Sequence, residues 1–280
     1  MPFEVKPMKK HIVRLLLAAA VLSGALFGCG AKKTEEVSPF TVDFLSTGKS
    51  DCILIRMDGL VILSDTADAD DYETISRCLK SYGISRIDYM ILSHFDKDHI
   101  GAAAALIRHY EVGKVLCPDY HEYSDEYYAL VDAVGQTDAE GVVLTEDYRI
   151  ETENGSVLAD PADVDYGDDN NNSIITTVTY RGHSLVLMGD AMKKRLEEYE
   201  DVLGDSCDLV KLPHHGDSNK ALLRILKVLR PAWAVEMVSA SETVEPDLID
   251  CLEEQGIILY STLNGSVHME WNGEELAISQ

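Results

Sequence analysis

The apolar run Ile87 to Leu92 stops abruptly at Ser93-His94-Phe95-Asp96-Lys97-Asp98-His99, so two imidazoles and two carboxylates fall within six residues at the end of a strand. Packing gives a buried strand no reason to end in this way, whereas adjacent cations need such a density of nitrogen and oxygen donors. The fold must therefore deliver a strand tip to a metal centre.

Three later segments bring further donors to strand tips. Asn170-Asn171-Asn172-Ser173 opens a strand over 173–180, Gly189-Asp190 follows the strand Ser184 to Met188, and Pro213-His214-His215-Gly216-Asp217-Ser218 follows Leu209 to Leu212. Each has a plain reading alone: Asp190 caps the helix after it, an Asn run suits a solvated loop, and paired histidines in a turn are commonly exposed. Four donor clusters at four strand tips outweigh those separate readings. His109, His121, His183 and His268 fall at helix ends, in a hairpin turn and in a terminal strand, and read as surface or hydrogen-bonded groups.

Between these tips the chain alternates strands and helices. Strands are expected at 41–45, 51–57, 60–64, 87–92, 115–116, 142–144, 148–151, 157–159, 173–180, 184–188, 209–212, 233–238, 257–260 and 266–270. Helices are expected at 70–82, 100–110, 124–134, 192–203, 220–229 and 245–255. The two halves share this rhythm, which predicts an α/β fold of two mixed sheets with helices outside. Asp160 to Asn172 is an acidic loop, read as solvated rather than as a lid.

The first 39 residues carry a separate message. Lys9, Lys10, His11 and Arg14 precede the apolar run Leu15 to Leu22, and the segment ends in Leu26-Phe27-Gly28-Cys29, with Met8 as an alternative start. This is the layout of a secretory signal, too short in its apolar part for an ordinary membrane span. Its ending resembles a bacterial lipobox, which implies cleavage after residue 28 and lipid on Cys29, with more than one acyl chain for stable anchoring. Residues 29–39 then form a polar tether and 40–280 the folded domain. The protein is thus expected on the extracytoplasmic face of a bacterial membrane.

Charge narrows the partners. The chain has 24 Lys and Arg against 49 Asp and Glu, a net of −25; removing residues 1–28 takes away Lys6, Lys9, Lys10, Arg14 and Glu4 and leaves about −28. A field of that sign excludes an extended basic groove for nucleic acid, although a metal site still accepts an anion locally. Cys52, Cys78, Cys117, Cys207 and Cys251 lack Cys-x-x-Cys spacing and read as core thiols, with one bridge left open.

Together, the His-x-Asp-x-Asp-His cluster, Gly189-Asp190 and Leu209-Val210-Lys211-Leu212-Pro213-His214-His215-Gly216 resemble the metal motifs of the metallo-β-lactamase fold superfamily. They are most similar to the branch typified by the C-terminal hydrolase domain of ComEC-like competence DNA-uptake proteins. Phe44-Leu45 with Gly48 and Asp51 is similar to that branch's FxDVGQGD element, and Leu63-Ser64-Asp65-Thr66 to its IDTG. The sequence departs from the pattern by lacking an acid after Leu45 and the Gln-Gly pair, by ending Ser-Asp-Thr-Ala, and by setting Asp217 before Ser218. These departures concern loops around the site and remove no metal-motif residue.

The resemblance implies a four-layer αβ/βα sandwich of two mixed β-sheets flanked by helices, and two divalent metal ions, Zn2+ or Mn2+. His94 and Asp96 would hold one ion and Asp98 and His99 the other, with Asp190 between them. One of His214 and His215 would complete the second; neighbours in extended backbone point opposite ways, and His214 is preferred. Asn170 stands where other branches often place a third histidine, and its oxygen favours Mn2+ as a competitor to Zn2+.

The implied chemistry is hydrolysis by a metal-bridging hydroxide between dications roughly 3.5–4 Å apart, with Asp98 and Asp190 catalytic. No Ser-His-Asp or reactive-Cys arrangement competes. A small-molecule or phosphodiester substrate is expected, of nuclease or phosphodiesterase type, and acidic charge disfavours extracellular DNA. The alternatives are a β-lactamase or lactonase-type hydrolase, set lower because Asp96 and Asn170 depart from that ligand set, and an inactive metal-binding module at the cell surface. Tyr120, Tyr123, Tyr127 and Tyr128 offer stacking faces near the first cluster or a core or partner-facing role, and no protein partner is implied.

Overall fold

Alternation of apolar residues sorts the strands onto two packed sheets. The computed structural model describes residues 40–240 and 244–280; the expected signal segment, the tether and Cys29 lie outside the described residues. β1 (Phe40–Phe44), β2 (Ile53–Met57) and β3 (Leu60–Ser64) run antiparallel, and β4 (Arg86–Ile91), β5 (Glu111–Pro118) and β6 (Glu140–Leu144) continue parallel from β3. β7 (Tyr148–Glu151), β8 (Gly155–Asp160), β9 (Ile175–Tyr180) and β10 (His183–Leu187) form the antiparallel half of the second sheet. β11 (Leu209–Lys211), β12 (Trp233–Glu236) and β13 (Ile258–Ser261) form its parallel half. The chain then rejoins the first sheet, where β14 (Val267–Trp271) pairs with β1 and β15 (Leu276–Ser279) with β14.

Parallel neighbours need long crossovers, and helices supply them. α1 (Tyr72–Ser81), α2 (Lys97–Ile100), α3 (Ala103–His109) and α4 (Asp125–Gln136) serve the first sheet, and α5 (Lys193–Tyr199), α6 (Lys220–Leu229) and α7 (Pro246–Gln255) the second. Phe40, Val42, Phe44 and Ile55 pack against Val157, Val178, Leu185 and Leu209 between the sheets. Leu54, Leu63 and Met90, on the opposite face, meet Ile75, Leu79, Ile100 and Leu106 of α1 to α3, while Val186, Val210 and Ala234 meet Leu196, Leu222, Ile225 and Leu248 of α5 to α7. The result is the four-layer αβ/βα sandwich implied by the motifs.

Caps stop the helices where side chains or backbone can satisfy their ends. Ser124 accepts from Tyr127 N at the start of α4, Asn219 from Ala221 N and Leu222 N at the start of α6, and Gly256 ends α7 at φ +70°. The expected helix 100–110 is instead two pieces, α2 beginning inside the acid/His cluster and α3 after a turn. A Cβ on Gly101 would lie 2.4 Å from Ala69 N and 2.7 Å from Asp68 C, so a close backbone approach fixes the break. β15 is not among the strands expected from sequence, although Asn272-Gly273, with Gly273 at φ +101°, opens the hairpin loop 272–275 that follows Trp271. The five cysteines of the described residues are free, with Cys52, Cys207 and Cys251 buried. Among those residues no helix is long and apolar enough to cross a membrane.

Candidate metal centre

In open α/β sheets, binding groups gather beyond the carboxyl ends of parallel strands. Here β3 leads into Asp65, β4 into His94 to His99, β10 into Gly189-Asp190, β11 into His214-His215 and β12 into Met237. The backbone at these ends is held in left-handed conformations: φ is +57° at Asp65, +54° at Ala67, +50° at Gly189, +45° at His214 and +56° at His215. Such strain in non-glycine residues persists only where the surroundings enforce it, and it concentrates at functional sites.

The donors converge on Asp190. Its Oδ2 lies 3.3 Å from both His99 Nε2 and His215 Nε2. His94 Nε2 is 3.5 Å from Asp96 Oδ2, and His215 Nε2 is 3.6 Å from Asp98 Oδ2. The rings of His94 and His99 are 4.0 Å apart. Donor atoms of His94, His99 and Asp190 lie within 4.8 Å of one another, as do those of Asp98, His99 and His215. Two potential ion sites thus adjoin at His99.

The far side of each ring is tied down. His215 Nδ1 lies 2.8 Å from Met237 O, which can only accept, so Nδ1 carries a hydrogen and Nε2 is the nitrogen left to an ion. His99 Nδ1 is 2.9 Å from Asp65 Oδ2, a carboxylate that also accepts from Ser93 N at 2.7 Å and Ser93 Oγ at 2.8 Å. His94 Nδ1 is 3.0 Å from Ser93 Oγ. The buried Nε2 atoms of all three rings, and Asp190 Oδ1, make no hydrogen bond. Buried polar atoms are rarely left so, and imidazoles fixed through Nδ1 with Nε2 free are the arrangement that a divalent ion requires. The residues present fit the ions. Asp51, Asp65 and His99 form a third close group, but Asp65 is already engaged by Ser93 and His99, and Asp51 pairs with the Lys211 ammonium.

Charge is concentrated here. Burial opposes a proton on His215, but the Asp190 and Asp98 carboxylates facing Nε2 outweigh it and lift its pKa to about 9 while no ion takes that proton's place. Burial would raise Asp98, yet His215 and His99 bring it down to about 2. Asp190 is held well below the usual carboxylate range because His99, His215 and Lys211 outweigh the cost of its burial. The pocket is therefore an anionic cage that attracts cations.

The structure brings together His94, Asp96, Asp98, His99, Asp190 and His215. It does not bring in His214, which is 25% exposed and sets Nδ1 2.7 Å from Asp217 Oδ2. The preference for His214 is corrected on that geometry: the pair does not lie in extended backbone, and two successive left-handed residues aim His215 inward and His214 at the rim.

Asn170 sits in a 3-10 turn with Nδ2 3.8 Å from Met192 Sδ, and no hydrogen bond joins it to the histidines. Its neighbours serve the fold. Asn171 Oδ1 accepts from Lys194 N and Arg195 N at the start of α5, and Asn172 Oδ1 accepts from Tyr166 N, which fastens the acidic loop. Tyr120 braces the first cluster, its hydroxyl accepting from Phe95 N at 2.8 Å and its ring 4.8 Å from that of Phe95. Tyr127 also packs on Phe95, whereas Tyr123 and Tyr128 are exposed.

Asp51, Asp65, Ser93 and Lys211 belong to the site but were not assigned to it from sequence. Lys211 carried the clearest sign, a charged residue inside Leu209-Val210-Lys211-Leu212.

A family model described as the metallo-beta-lactamase superfamily matches residues 45–235. The chain is 29% identical over 167 residues to ComE operon protein 3 of Bacillus subtilis, a match covering 56% of this chain and 20% of that protein. It is 26% identical over 199 residues to Recombination protein 2 of Haemophilus influenzae, covering 69% of this chain and 24% of that one. The matches thus span about a fifth to a quarter of those relatives. Among solved structures, the metallo-beta-lactamase fold protein YhfI of Bacillus subtilis superposes with a TM-score of 0.54 at 13% identity, covering 86% of this chain and 100% of that one. A mutant of CmlA beta-hydroxylase superposes with a TM-score of 0.55 at 17% identity, covering 83% of this chain and 54% of that one. The chain belongs to the metallo-beta-lactamase superfamily, as a metallo-hydrolase whose motifs resemble those of the ComEC-like branch.

Proposed function

We propose that the protein is a lipid-anchored, extracytoplasmic phosphodiester hydrolase that works with two divalent ions, Zn2+ or Mn2+. The observation that carries the metal dependence is the gathering of three buried imidazoles about Asp190, with Nε2 of His99 and His215 each 3.3 Å from its Oδ2 and each of the three rings fixed from behind through Nδ1. His94 and Asp96 would hold one ion, and Asp98, His99 and His215 the other, with the Asp190 carboxylate available to both. When bound, the ions supply a water-derived nucleophile at neutral pH and polarise the ester that is attacked. Asp98 Oδ2, kept anionic, orients the attacking water and accepts its hydrogen bond. Ser93 and Asp65 hold His94 and His99 in place through the reaction.

The name Recombination protein 2 borne by one relative points to chemistry on nucleic acid, in which the backbone bond is a phosphodiester. A net charge of −25 opposes long polyanions, so a small or locally presented phosphodiester suits this chain better than duplex DNA. The test is a panel of bis-p-nitrophenyl phosphate, plasmid DNA and nitrocefin, with residues 30–280 loaded with Mn2+ or Zn2+. Turnover of the phosphodiester, lost on chelation, is expected. Turnover of nitrocefin alone would overturn the reading in favour of a β-lactamase, and no turnover with metal bound would favour a binding module.

A further inference from the structure

Lys211 lies on β11 with its side chain wholly buried. A buried ammonium is costly unless charges and hydrogen bonds offset it. Three groups do so here: the Asp51 carboxylate pairs with Nζ, Gly189 O accepts from it at 2.9 Å, and Asp190 Oδ1 is 3.7 Å away. The two oxygens of Asp190 therefore face different groups. Oδ2 faces the imidazoles of His99 and His215, and Oδ1 faces Lys211.

Asp51 is placed behind the same rings. Its Oδ1 is 3.7 Å from His215 Nδ1 and its Oδ2 is 4.0 Å from His99 Nδ1. Asp51, Asp65 and Asp190 are all buried, so with no dication present the pocket holds three carboxylates that water cannot screen. A mobile metal ion offsets that charge only when bound. A lysine on a strand offsets part of it at all times.

We propose that Lys211 is a positioning residue, a fixed internal cation that leaves Asp190 a single oxygen, Oδ2, for the metals and keeps the carboxylate-rich pocket folded when they are absent. This rests on the metal-centre reading above. Without the ammonium, Oδ1 is free to chelate alongside Oδ2, and Asp51 is left as an uncompensated buried charge.

The test compares thermal midpoints, metal-free and with Zn2+ or Mn2+, for the wild type, Lys211→Met and the double variant Lys211→Met/Asp51→Asn. In Lys211→Met the metal-free midpoint should fall by about 10 °C and the metal-induced rise should be larger than in the wild type. Adding Asp51→Asn should recover most of the metal-free loss, because it removes the charge that Lys211 balanced; a lysine that merely filled space would not be replaced by an amide elsewhere. Cobalt-loaded Lys211→Met should also show weaker visible absorption than the cobalt-loaded wild type, as the second oxygen of Asp190 raises the coordination number.

If Lys211→Met does not fold without metal, the double variant decides, and its failure to recover overturns the proposal. Equal metal-induced rises in the wild type and Lys211→Met also overturn it. A wild type whose midpoint no dication moves overturns the metal centre itself, and this assignment with it.

Discussion

Asp190→Ala is expected to lower kcat/KM on a phosphodiester by at least about 10^3-fold, since several kcal/mol of metal-dependent transition-state stabilisation depend on this one carboxylate and each 1.36 kcal/mol is a factor of ten. Its Oδ2 is the oxygen common to His99 and His215, and no other described carboxylate occupies that point. Asp190→Asn keeps the shape and loses the charge, so it should retain the fold and still lose most activity. Kinetics on both variants, with metal content measured alongside, check this. Near-wild-type turnover in Asp190→Asn would show that the charge between the imidazoles is not what the reaction uses.

His215→Ala and His214→Ala should diverge although the residues are adjacent. His215 directs Nε2 into the cage and is fixed by Met237 O, so its loss should remove about one ion's worth of binding and at least about 10^2-fold in kcat/KM. His214 pairs with Asp217 at the rim, where an exposed ion pair is worth about 0–1 kcal/mol, so its loss should leave metal content unchanged and lower activity less than about tenfold. Both positions have left-handed backbone, and alanine bears a similar conformational cost at each. The pair is therefore a matched comparison. Equal losses in kcat/KM and metal content would contradict the geometry.

The first cluster was legible because its four donors adjoin in sequence and a strand must carry them together. The alternation of strands and helices was legible for the same local reason, and it yielded the layered architecture. What the sequence hid depends on distant parts of the chain. The break between α2 and α3 comes from the backbone of residues 68 and 69 pressing on Gly101. The choice between His214 and His215 depends on two successive left-handed residues, which neither side chain announces. Asp51 and Asp65 look like ordinary strand-edge acids until burial places them behind the imidazoles. The partner of His215 Nδ1 is a backbone carbonyl, and any residue at position 237 would supply one.

The metal content of purified protein after reconstitution with Zn2+ or Mn2+ tests the central claim most directly. Imidazoles fixed through Nδ1, with free Nε2 atoms turned on Asp190, lead to about two dications per chain, falling in Asp190→Ala and His215→Ala but not in His214→Ala. Less than about one dication per chain in the wild type would contradict it.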